Sequence, residues 1–221
     1  MDVSHLVQTV AIYALPVLFA ITLHEAAHGY VARYFGDLTA HAQGRISLNP
    51  VRHIDVVGTI LVPIAILLVS KFAGAGGLLF GWAKPVPVNY SALRRPKQNM
   101  MWVAAAGPAS NLAMAIGWAA VLKLCEFFPP GVFATPLRLM SVAGIEVNIV
   151  LLVLNLLPIL PLDGGRIVAS LLPARMSWQY SRLEPLGFPI LFVLLFTGVL
   201  GVILGPMVRT SFDAIGTVFG F

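Results

Sequence analysis

A single cysteine, Cys125, among 221 residues excludes a disulfide framework and a thiolate metal site within one chain. As a small buried hydrophobe it needs no further role. Charge is scarce as well: only 10% of the residues are Asp, Glu, Lys or Arg, while 58% are hydrophobic and the mean hydropathy is +0.89. That excludes an ordinary soluble domain and reads as a polytopic membrane protein. The opening Met1-Asp2-Val3-Ser4-His5 lacks the basic stretch of a signal peptide, so the apolar segment after it is expected to be retained. The net charge of +5 does not call for nucleic acid, because basic residues held on one side of a bilayer account for it.

Four segments are apolar over the ~20 residues a crossing needs: 6–34, 100–122, 139–160 and 187–208. A fifth, Val56 to Val69, is shorter and contains Pro63. If residues 55–83 enter and return as a hairpin turning at Gly74-Ala75-Gly76-Gly77, the basic residues segregate. Arg33, Arg45, Arg52, Lys71, Lys84, Arg94, Arg95, Lys97, Arg166, Arg175 and Arg182 then share one side, leaving Lys123, Arg138 and Arg209 for the other. The positive-inside rule makes the rich side cytoplasmic. Trp82, Trp102 and Trp178 suit interfacial anchoring.

Inside the first apolar segment stands His24-Glu25-Ala26-Ala27-His28. Ionisable groups at membrane depth are costly without a partner, which makes them a functional-site signal. On a helix, His24 and His28 share one face and are placed to bind one metal ion, with Glu25 about 100° round. His24 lies about 27 Å along the first span, in its cytoplasmic half. The span 139–160 ends on the same side in Asn155-Leu-Leu-Pro158-Ile-Leu-Pro161-Leu-Asp163-Gly164-Gly165. Its prolines break the helix and its Gly-Gly turn carries Asp163 to a comparable depth, so Asp163 is the natural third ligand. Two histidines, one carboxylate and a position left for water form a catalytic zinc arrangement rather than a closed structural one.

His24-Glu25-x-x-His28, Gly107-Pro108-Ala-Ser-Asn111 and Asn155-x-x-Pro158-x-x-Pro161-Leu162-Asp163-Gly164 closely resemble, in order, the motifs of the site-2 protease family of intramembrane zinc metalloproteases, peptidase family M50. The resemblance continues through Gly44-Arg-Ile-Ser-Leu-Asn-Pro50 and Gly81-Trp-Ala-Lys-Pro-Val-Pro-Val-Asn89. It covers most of residues 15–170 and matches the short bacterial form, a single domain over 1–221 without a PDZ or CBS domain. It implies a zinc metalloendopeptidase with one Zn2+ per chain on His24, His28 and Asp163, and Glu25 as the catalytic base. Asn111 and Asn155 are implied to hold substrate or to support the zinc site. The implied partners are the lipid bilayer and single-pass membrane substrates such as anti-sigma factors or remnant signal peptides; the implied location is the bacterial cytoplasmic membrane.

The expected fold is all-α and polytopic, with about four transmembrane helices plus a hairpin or a fifth and sixth span over 55–83. Gly44 to Asn49 and Pro85 to Asn89 read as short β-strands near the site, offering an edge to an extended substrate. Glu146 and Asn148 fall within a span and receive no role; His5, His41 and His53 read as loop or interfacial residues. Two other classes share these features, a metal-ion transporter and a catalytically silent membrane scaffold.

Overall fold

The computed structural model describes residues 3–62 and 83–221. The core of the expected hairpin, with Pro63, Lys71, the Gly74–Gly77 turn and the Trp82 anchor, lies outside the described residues. Helix α1 (Val3–Tyr34) is followed by the single turn α2 (Thr39–Ala42), a 3-10 turn at Pro50–His53 and a π-helical turn at Val56–Leu61. After the 3-10 turn Tyr90–Ala92 come α3 (Pro96–Leu124), α4 (Ala134–Asn155), α5 (Asp163–Leu171), α6 (Ala174–Ser181), α7 (Glu184–Phe196) and α8 (Val199–Phe219). Among the described residues four helical stretches are long and apolar enough to cross a membrane: Val7–Tyr34, Pro96–Phe127, Ala134–Asn155 and Val199–Phe219.

Helix α3 is the hub, packing against α1, α4, α5 and α8. Its small residues make this possible. Ala104, Gly107, Asn111, Ala115 and Ala119 recur at three- and four-residue spacing and are all buried, so neighbouring helices approach its backbone closely. One core forms where Ala115 and Ala119 meet Ile145, Ile149 and Val153 of α4 and Ile215 of α8. The outward faces stay apolar, with Val10, Leu18, Phe19, Leu112, Ile116 and Val150 exposed, as lipid contact requires. Of the buried polar side chains, His24, Asn111, Asn148 and Asp163 gather inside.

Two expectations are corrected by this architecture. The short β-strands are absent among the described residues: 45–49 and 83–89 run without helix or strand pairing. Pro85 and Pro87 lack the N–H groups a ladder needs. The two segments are joined by a side chain instead, Arg45 donating from one guanidinium nitrogen to the carbonyls of Lys84 at 2.9 Å and Pro85 at 3.2 Å. The span expected at 187–208 is also divided. Helix α7 ends at Thr197, and Gly198 adopts φ +76°, a left-handed turn that stops the helix. At 13 residues α7 rises about 20 Å, short of the ~30 Å hydrocarbon core, and the crossing helix is α8. Arg209 thus lies within α8, its Nε 3.9 Å from Asp213, rather than beyond the last span.

The loop ends are pinned where they flank the histidines. Asp37, fully buried after α1, accepts from Thr39 N–H at 2.9 Å and from Asn89 N–H at 2.6 Å, tying the exit of α1 to the segment entering α3.

Candidate metal centre

Two elements bring three donors together. Helix α1 supplies His24 and His28 on one face, and α5 begins at Asp163, where a carboxylate also suits the helix dipole. His24 Nε2 and His28 Nε2 stand 3.1 Å apart, and Asp163 Oδ2 lies 3.2 Å and 3.3 Å from them. His24 and Asp163 are buried, at 8% and 7% exposure.

The remaining hydrogen bonds decide what these atoms are. Asn148 Nδ2 donates to Gly144 O at 2.8 Å, which turns Asn148 Oδ1 toward Asn111. Asn111 Nδ2 donates to Asn148 Oδ1 at 3.0 Å and to Ala20 O at 3.4 Å, so Asn111 Oδ1 faces His24. It accepts from His24 Nδ1 at 2.6 Å, and the Val103 carbonyl accepts from His28 Nδ1 at 2.7 Å. Both Nδ1 atoms therefore donate, which leaves each Nε2 to offer its lone pair to a metal. Asp163 Oδ2, also buried, accepts no hydrogen bond. With their Nδ1 atoms engaged, the two Nε2 atoms and Asp163 Oδ2 converge as three candidate ligand atoms, an arrangement that fits a cation. Ligand atoms about 2.0–2.2 Å from a tetrahedral zinc would sit roughly 3.3–3.6 Å from one another, slightly wider than the three separations observed. Among the described residues His24, His28 and Asp163 are the one cluster able to hold a metal in this way.

Close approach of backbones makes the cluster possible. A Cβ on Gly107 would lie 2.5 Å from His24 Cε1 and from His28 Nε2, so glycine lets both rings rest on α3. Pro108 follows it, and its missing N–H and crowding ring weaken the helical ladder in the turn that contains Val103. On the α5 side, a Cβ on Gly164 would strike the Leu156 carbonyl, so the irregular stretch 156–162 folds directly back on Asp163. Within that stretch the Leu160–Pro161 bond is cis, and Tyr180 O–H donates to the Pro158 carbonyl at 2.8 Å.

Glu25 is half-buried, and its Oε2 accepts from the Val86 N–H at 2.7 Å. Of the residues 85–87 only Val86 has an N–H to give, and it goes to this carboxylate. Asn111 is fully buried against His24, which places it as support for the histidine. Asn155 is half-buried and donates to Leu151 O within its own helix at 3.0 Å. Sequence reasoning left two participants unassigned. Asn148 fixes Asn111, and its buried amide in a span was the available signal; the Val86 N–H is a backbone group and gave none. Glu146 accepts from Tyr13 O–H at 2.9 Å, apart from the metal ligands.

Comparison with known proteins agrees with this geometry. The family model described as Peptidase family M50 matches residues 131–198, the stretch that contains Asn155 and Asp163. The chain is 36% identical over 208 residues to "Putative zinc metalloprotease YwhC" of Bacillus subtilis, covering 93% of this chain and 89% of that one. It is 28% identical over 199 residues to "Putative zinc metalloprotease Rip2" of Mycolicibacterium smegmatis, covering 90% of this chain and 72% of the relative. No solved structure matches. With a relative of this identity spanning nearly the whole chain, and with its motifs assembled into one metal-ligand cluster, the protein belongs to peptidase family M50, the site-2 protease family.

Proposed function

We propose that this integral membrane protein is an intramembrane zinc metalloprotease, hydrolysing peptide bonds in or near the transmembrane segments of single-pass membrane proteins. The observation that carries the reading is the convergence of His24 Nε2, His28 Nε2 and Asp163 Oδ2 at 3.1–3.3 Å inside a helical bundle, with Glu25 one residue from the first ligand. These three residues would hold one zinc ion. When bound, the ion supplies a Lewis acid that acidifies water and polarises a carbonyl.

The chain's own residues do the rest. Asn111 and Val103 keep the two imidazoles in the tautomer that offers Nε2, and Asn148 keeps Asn111 turned the right way. Glu25 accepts a proton from the attacking water and returns it to the leaving amide nitrogen. The Val86 N–H on Oε2 aims that carboxylate and leaves Oε1 for the proton. The two asparagines of the family motifs divide the work: Asn111 supports the metal, and the less buried Asn155, at the end of α4, is placed to meet substrate. A helical substrate hides its scissile carbonyl, so it must open before it is cut.

The basic loops joining α1 to α3 lie at the metal end of the bundle, which orients that end to the cytoplasm and suits a bacterial cytoplasmic membrane. Membrane-bound anti-sigma factors and remnant signal peptides are the substrate classes that fit. A transport path would need donors at several depths, whereas the described donors form one cluster. The test is cleavage of a single-pass model substrate by the purified protein in detergent, with zinc assayed alongside. Wild type should cut, and Glu25→Gln should retain zinc without cutting; a Glu25→Gln protein that cuts at the wild-type rate removes the base from the mechanism.

A further inference from the structure

Outside the metal centre, the strongest concentration of unmatched charge is on the loops between α1 and α3. Arg45, Arg52 and Lys84 line one cavity of about 590 Å³ together with Gln43 and Gly44, and among the described residues no acidic one lines it. None of the three cations takes part in the ion pairs among the described residues. Asp55, the acidic residue nearest in sequence to Arg52, caps the next turn by accepting from Gly58 N–H at 2.7 Å.

The guanidinium groups are held in place, yet their charge is unanswered. Among the described residues, half-buried Arg45 reaches only backbone carbonyls, those of Lys84 and Pro85, and its buried Nε donates to none. Arg52 donates to the carbonyl of Gly44. A buried donor left without an acceptor is costly, and a planar guanidinium fixed through one nitrogen keeps its remaining donor for an oxyanion. Three cations converging on one open cavity suit a group with several oxygens and more than one negative charge. Cytoplasmic-side enrichment in Lys and Arg asks only that charges lie near a surface; it does not ask that they meet with no carboxylate among them.

We propose that Arg45, Arg52 and Lys84 form a binding site for a phosphate group, carried by an anionic phospholipid headgroup or by a soluble phosphate compound. The site borders the candidate catalytic base. The carbonyls held by Arg45 belong to Lys84 and Pro85, and the next residue, Val86, gives its N–H to Glu25. An anion drawn to Arg45 thus sits on the strap that aims Glu25.

The test uses the full chain in detergent and reads binding rather than cleavage, so it stands whether or not a substrate is found. Binding of short-chain phosphatidylglycerol is compared with that of phosphatidylcholine by native mass spectrometry, and pyrophosphate is added in a second arm. Wild type should retain one phosphatidylglycerol or one pyrophosphate per chain and no phosphatidylcholine; the arm that binds identifies the source. Arg52→Gln and Lys84→Gln keep a hydrogen-bond donor and remove a charge from exposed side chains. Each should weaken binding about fivefold, and the pair about 25-fold. Arg175→Gln, an exposed basic residue elsewhere, should change nothing. Equal retention of both lipids with no binding of pyrophosphate overturns the proposal. So does a loss in Arg175→Gln equal to that in Arg52→Gln, which would mean diffuse attraction to a basic surface.

Discussion

Replacing Gly107 by alanine should weaken metal binding while leaving the bundle folded. The added Cβ would stand 2.5 Å from His24 Cε1 and His28 Nε2, where ordinary contact begins at 3.4 Å, so each ring would have to retreat by about 0.9 Å. Neither is free to do so, because His24 Nδ1 donates to Asn111 at 2.6 Å and His28 Nδ1 to Val103 at 2.7 Å. A metal site tolerates errors of only about 0.2 Å in its ligand distances. The affinity of Gly107→Ala for zinc should therefore fall at least as far as it does when a ligand's supporting contact is lost, about 10- to 100-fold. Gly117 supplies the control, since it lies in the same helix with nothing within 4 Å of its would-be Cβ. There alanine should only improve helix propensity, by up to ~1 kcal/mol. The assay is zinc titration of both purified variants against a competing chelator, with thermal unfolding to establish that each is folded. A folded Gly107→Ala protein with wild-type zinc affinity would refute the claim that the rings rest on this glycine.

Two further results should follow. Asn111→Ala leaves the His24 Nδ1–H buried without an acceptor, at about 1–3 kcal/mol, and should lower zinc affinity about 10- to 100-fold. Asn148→Ala, one contact further out, should lower it less, and chelator competition on the two variants checks the order. In the proposed reaction, a run of leucines inserted at the cut site of a model substrate should slow cleavage, because a stiffer helix is harder to open; unchanged product formation in a gel-based time course would remove the unwinding step.

The parts of the site legible in the sequence were those whose chemistry is carried by side chains at a local spacing. His24 and His28 are four residues apart on one helix, so their shared face follows from helical geometry alone. Asp163 was readable because prolines and the Gly164-Gly165 pair mark the end of a span at matching depth, and the structure brings it within 3.3 Å of both histidines. The Val86 N–H on Glu25 was not readable, since it joins residues 61 apart through a backbone group. Composition reads Gly44 to Asn49 and Pro85 to Asn89 as strands. There Pro85 and Pro87 outweigh the β-branched residues between them, because a ladder depends on N–H groups that proline lacks. The last span was misplaced for a related reason: residues 187–208 are continuously apolar, and hydropathy does not register that Gly198 turns the chain at φ +76°. The expected span of 139–160 likewise closes at Asn155, where Pro158 and Pro161 redirect the chain toward Asp163.

The central claim is that His24, His28 and Asp163 hold one metal ion, and X-ray absorption at the zinc edge on the metal-loaded protein tests it most directly. The account predicts one zinc per chain, with two imidazoles and oxygen ligands at about 2.0–2.2 Å, and loss of one imidazole signature in His24→Ala. A spectrum without imidazole scattering, or one unchanged in His24→Ala, would contradict it.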